Sequence, residues 1–114
     1  MLSKLNRFHG HQSVRRVYKQ GRAERNVLGS LHVYSDQKTT ETHVAVVVSK
    51  KVDKSAVVRN RIRRRVYEIV RNNMVDFTHP SNLVFTIYQA DAGTMPSEEL
   101  VALVKNLLSR SKLI

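Results

Sequence analysis

The chain has 114 residues, 41% of them hydrophobic, with no cysteine, no tryptophan and a formal net charge of +11. That length accommodates one domain, over 1–114, with a modest core. The missing cysteines exclude disulfides, thiolate metal ligands and cysteine nucleophiles, and the charge imposes a self-repulsion that an anionic partner would relieve.

Two segments carry the imbalance. Residues 1–25 and 50–71 hold sixteen basic and three acidic residues, so folding is expected to assemble one basic face from them. The N-terminal MLSKLNRFHGHQ is polar-interrupted and has no signal-peptide core. No apolar run approaches the roughly eighteen residues of a membrane span. A cytoplasmic protein without a membrane partner is expected.

In chain order, residues 12–20 place Val14, Val17 and Tyr18 on one helical face and end at Gly21, a suitable C-cap. Residues 28–34, LGSLHVY, favour a strand, and SDQKTTET is a polar loop. Residues 43–49, HVAVVVS, form a nearly continuous β-branched run that reads as a central strand. A long basic helix then begins near Asp53 or Ser55, either of which can cap it. It runs to about Asn72 or Asn73 with Val58, Ile62, Val66 and Ile69 pointing inward. LVFTIY at 83–88 is a further strand, and DAGTMP breaks the chain. The last helix has Glu98 and Glu99 near its positive end and a stripe of Leu100, Leu103, Val104, Leu107 and Leu108. Helices covering a small sheet, in the α+β class, bury both periodicities.

The stretch 50–71 is the most informative, with nine basic residues against Asp53 and Glu68. Arg59, Arg63 and Arg64 are expected to flank the buried stripe, and Arg61 and Arg65 to lie farther round. Guanidinium groups offer a planar fork matched to phosphate oxygens, so these arginines point to a nucleic acid. Asn60 stands between two of them. Lys50 and Lys51 fall where the strand meets the helix start, a position suited to phosphate. Aromatic platforms are few. Tyr18 among Arg15, Arg16, Lys19 and Arg22 is the best placed, with a core role as the alternative, and Tyr67 is expected to cover the edge of the arginine surface.

No self-sufficient active site emerges. The nine acids are dispersed and offer no paired carboxylates or metal cluster. His9, His11, His32, His43 and His79 lack metal-ligand spacing. No serine or threonine has a convincing base. The polypeptide itself is expected to break no bonds.

The run VAVVVSKKVDKSAVVRNRIRRRVYE resembles the signature of the bacterial ribonuclease P protein subunit. That family has a hydrophobic strand entering Ser-Lys-Lys, a variable turn, Ala-Val, and then Arg-Asn-Arg-Ile-Lys/Arg-Arg on a helix. The corresponding residues here are Val44 to Val48, Ser49-Lys50-Lys51, Ala56-Val57 and Arg59 to Arg64. Asn6-Arg7-Phe8, Val14, Tyr18 and Gly21 also fall where the family places its first elements.

The resemblance implies a two-layer α/β sandwich of order αβββαβα, with a left-handed crossover into the signature helix and a short strand near residues 22–26. It implies an accessory role in a ribonucleoprotein that removes the 5′ leader of precursor tRNA, with the RNA subunit as catalyst and Mg²⁺ bound chiefly by RNA. No obligate protein partner is implied. Carried over by position, Val14, Tyr18, His32 and Lys50 belong to a leader-binding cleft. Lys50, Lys51, Arg59, Asn60, Arg61, Arg63, Arg64 and Arg65 belong to the RNA-binding set. Two departures stand out: the family often has an aromatic residue where Val14 and His32 stand. Val14 packs but cannot stack, whereas an imidazole can.

Composition alone favours a structural RNA-binding module as strongly, and the ordered signature at 49–64 discriminates. A DNA-reading helix is disfavoured because no helix-turn-helix partner precedes the basic helix.

Overall fold

The structure is a computed structural model that describes residues 11–114, with side chains from residue 14 onward. Asn6-Arg7-Phe8, His9 and the side chain of His11 lie outside the described residues. The elements are α1 (His11–Gln20), β1 (Arg22–Arg25), β2 (Gly29–Tyr34), β3 (His43–Val47), α2 (Ala56–Asn73), β4 (Asn82–Ile87) and α3 (Ser97–Arg110). Short 3₁₀ turns at Met74–Asp76 and Ala90–Gly93 punctuate the second half. The order is thus αβββαβα.

The sheet runs β1-β2-β4-β3. β2 pairs antiparallel with β1 and β4, while β3 pairs parallel with β4, with Val44 opposite Leu83 and Val47 opposite Thr86. α2 is therefore the crossover of a βαβ unit whose strands are direct neighbours. This corrects the expectation that 43–49 is a central strand: β3 is an edge, and the middle belongs to β2 and β4. Its apolar run arises because Val44, Val46 and Val48 enter the core while Ala45 and Val47 are half-buried on the opposite face. One side chain reaches the backbone of this edge strand. The Val46 N–H donates to the Tyr67 hydroxyl of α2 at 3.2 Å, so Tyr67 does not extend the arginine surface as expected.

One face of the sheet carries the core. Leu31, Val33, Val44, Val46, Leu83, Phe85 and Ile87 meet Ile62, Val66 and Val70 of α2 and Leu100, Val104, Leu107 and Leu108 of α3. Each of these is at most 5% exposed, and a fully buried side chain of this size contributes about 1.5–3 kcal/mol by burial. The alternate residues Ser30, His32, Val84 and Thr86 face the other way. There α1 packs on β2 and β4 through the buried Val17.

Gly21 makes that approach possible. Its N–H donates to Val17 O at 2.9 Å, ending α1, and a Cβ there would sit 2.5 Å from Val17 O and 2.7 Å from Val33 O. β1 follows at once. Its sequence Arg-Ala-Glu-Arg has no apolar alternation, so only the family resemblance anticipated it.

Candidate nucleic-acid interface

The cleft that the resemblance implies falls between α1 and the face of the sheet opposite the core, where α1 packs on β2 and β4. Strand register brings Ala23, His32, Val84 and Ala45 into one cross-sheet row, and Arg25, Ser30, Thr86 and Val47 into the next. Tyr18, 39% exposed, leans over these rows from α1. Its hydroxyl lies 2.5 Å from Thr86 Oγ1, and its ring meets His32 edge-on, with centroids 4.7 Å apart and planes at 73°. The structure thus brings Tyr18 and His32 together. Val14 lies one turn before Tyr18, half-buried and without a ring to offer.

His32 sits in an unusual setting. Burial holds its imidazole below its ordinary pKa, and the charge of Arg25 adds to the effect. Its Nδ1 is shielded from solvent and has no hydrogen-bond partner among the described residues. Farther along the same face Tyr88, 52% exposed, bonds through its hydroxyl to Ser30 Oγ at 3.2 Å.

Lys50 and Lys51 occupy an exposed turn closed by Val52 N–H to Ser49 O at 3.1 Å. The turn joins β3 to α2. The backbone donors at the start of α2 are less available than the sequence suggested. Ser55 Oγ accepts from Val58 N at 3.3 Å, and Asp53 Oδ1 accepts from Ser55 N at 2.8 Å. Of the two candidate caps, Ser55 is the helix cap and Asp53 orders the turn before it.

The arginines of α2 divide in a way their spacing did not reveal. Arg61 and Arg64 are exposed and make no hydrogen bond or ion pair among the described residues. Arg63 donates to Asn60 Oδ1, so that pair presents a joined polar surface. Arg59 is folded back, with Nη1 donating to Asp53 O at 3.0 Å and to Lys54 O at 2.9 Å. Arg65 is a clamp: Nη1 donates to Ala92 O at 2.7 Å and Nη2 to Met95 O at 2.6 Å. The expectation that Arg65 lies away from the packed side is therefore corrected. α2 nests against the 3₁₀ turn at Ala90–Gly93, and Arg65 points at its carbonyls.

Sequence reasoning missed Thr86, the Ala92 and Met95 carbonyls and the Tyr67 contact to β3. All lie far along the chain from their partners, and no local signal marks them.

Glu68 pairs with Arg71, which holds its carboxyl well below the usual range. Asp53 is engaged in its turn. Among the described residues no three His, Asp or Glu side chains come together as a metal would need, and no helix is long and apolar enough to cross a membrane.

Comparison with known proteins places the chain in a family. Residues 2–112 match the sequence model of the family described as Ribonuclease P. A ribonuclease P protein component of Pseudanabaena sp. is 33% identical over 100% of this chain and 97% of its own length. That of Symbiobacterium thermophilum is 34% identical, covering 99% and 96%. In fold, the RNase P protein of Staphylococcus aureus is similar with a TM-score of 0.83 at 19% identity, covering 95% of this chain and 96% of that one. The RNase P protein of Thermotoga maritima gives 0.75 at 20% identity, covering 85% and 89%.

Proposed function

The chain belongs to the ribonuclease P protein family, and from that premise we propose how its two surfaces divide the work of the holoenzyme. As the protein component it is an accessory subunit, and the chemistry belongs to the RNA. The cleft under α1 takes the single-stranded 5′ leader of precursor tRNA. Tyr18 and His32 supply ring surfaces, Thr86 fixes the tyrosine, and Lys50 at the rim offers charge to the phosphates. The exposed Arg61 and Arg64, with the Arg63–Asn60 pair and Lys51, face the catalytic RNA.

The carrying observation is the Tyr18–His32–Thr86 arrangement on the sheet face opposite the core. Single-stranded nucleic acid is held by rings for bases and cations for phosphates, with stacking contributing about 1–3 kcal/mol per base. The second contribution is screening. Two polyanions meet in the complex, and each protein–phosphate contact lowers their repulsion in a salt-dependent manner. We assign Mg²⁺ to the RNA. The acids near the basic helix do not fit a metal, because Asp53 is tied to Ser55 N and Glu68 to Arg71. We further propose that residues 1–114 act as one RNA-binding domain, in the cytoplasm where both RNAs reside.

The test is reconstitution of purified protein, catalytic RNA, Mg²⁺ and a 5′-labelled precursor. Cleavage at the mature 5′ end only when RNA is present, with affinity that depends on the leader, is the expected result. Cleavage by protein alone would overturn the division of labour.

A further inference from the structure

The cleft contains one group whose protonation state the bound strand can change. A charged imidazole carries hydrogens on both nitrogens, and Nδ1 of His32 is buried with no acceptor among the described residues. Charging His32 in the free protein would therefore strand a buried N–H beside a cation, an arrangement that costs free energy on both counts.

The described residues around it offer no relief. From α1 the contact is Tyr18, with the cation Arg15 one turn earlier. On β1 the nearest charge is Arg25, whose field opposes a positive imidazole, and Glu24 points to the other face, where it meets Arg110. β4 and β3 contribute Val84, Ala45, Thr86 and Val47 to its own row and the next, none of which titrates, and the row on the other side holds Tyr34, Asn82 and His43, with Tyr34 bonded to Asp36 and His43 beside Glu41. No carboxylate on these elements faces His32. Nδ1 is closed to solvent, but the ring as a whole is only half-buried, and a nucleic-acid strand passing beside it brings phosphates whose charge offsets a cationic imidazole.

We infer that His32 couples occupation of the cleft to uptake of a proton, so that the protein holds a single-stranded RNA more tightly as the medium becomes mildly acidic. Burial and Arg25 keep the imidazole neutral in the free protein near neutrality, and an incoming phosphate supplies the counter-charge that makes the protonated form favourable. Linkage for one proton limits the effect to about a tenfold change in Kd per pH unit. The inference rests on the reading of this cleft as the leader site and adds to it a chemical dependence that a phenyl or phenol ring at residue 32 would not confer.

The test uses the reconstituted holoenzyme and two precursors, one with a long leader and one with a single-nucleotide leader. Kd for each is measured from pH 7.5 to 6.0, for wild type, His32→Phe and His32→Gln, with folding of each variant checked by circular dichroism. The ratio of the two Kd values isolates the contribution of the leader from pH effects on the RNA subunit. In wild type that ratio is expected to grow by about threefold or more across the interval, within the one-proton limit, and to stay flat in both variants. A leader advantage that is present but independent of pH would overturn the inference and leave the cleft reading standing. A pH slope that persists in His32→Phe and His32→Gln would assign the proton to another group. No leader advantage at any pH would instead refute the cleft reading.

Discussion

At the scale of single residues, Arg64 and Arg65 show how adjacent identical side chains acquire opposite roles. Arg64 is exposed and makes no bond among the described residues, whereas Arg65 is half-buried and holds two carbonyls. Arg64→Ala is expected to leave stability within about 0.5 kcal/mol of wild type. It should lower affinity for the catalytic RNA and reduce the log–log salt slope by roughly 0.7 to 0.9 for one lost phosphate contact. A salt titration of RNA binding decides this, and an unchanged slope would remove Arg64 from the interface. Arg65→Ala should do the reverse. It leaves the Ala92 and Met95 carbonyls without their donor, and hydrogen bonds from a charged group contribute about 1.5–3 kcal/mol net each. Denaturant unfolding should register the loss. His32 also affects stability. Its folded pKa lies below the unfolded value of about 6.5, so in the window between them the unfolded chain holds more protons. Stability contributed by the neutral form is present above about 6.5 and is lost as pH falls through that window. His32→Gln should flatten this dependence in melts taken across it.

Among the elements, α2 was the most legible in the sequence because its information is local. Ile62, Val66, Ile69 and Val70 recur at helical spacing and are all buried, and the Ser55 cap sits immediately before the first turn. Ser55→Ala should cost about 0.5–2 kcal/mol of stability, readable as a shift in the unfolding midpoint. It should also loosen the Lys50–Lys51 turn, because Asp53 would no longer be followed by a fixed helix start. β1 was illegible to pattern because its Arg-Ala-Glu-Arg sequence has no apolar alternation, and its partners come from β2. β3 was recognised as a strand but given the wrong place. Composition reports how dry a strand is, and both faces of β3 are at least half-buried. Lateral order depends on where α2 returns the chain, which no local pattern encodes. The cleft was legible in its members, Tyr18 and His32, but not in its geometry. The Tyr18–Thr86 bond spans 68 residues, and only the folded sheet brings its ends together.

For the molecule as a whole, topology sets on opposite sides of the sheet two basic helices that composition had merged into one face. The core fills one side of the sheet, α1 packs on the other, and the turn at Lys50–Lys51 leads from β3 into α2. Gly21 is the pivot of this layout. Gly21→Ala would drive a methyl into the Val17 and Val33 carbonyls and displace α1 from the sheet. Leader-dependent affinity should then fall while RNA assembly through α2 persists, and comparing the two binding measurements checks the separation. The hydroxyl of Tyr67 has a consequence beyond local pairing. An unguarded strand edge is a template on which further chains can grow. In this sheet one border is the four-residue, charge-bearing β1 and the other has the Val46 N–H occupied from within. Both borders thus offer a second copy of the chain less free backbone than a bare strand edge would.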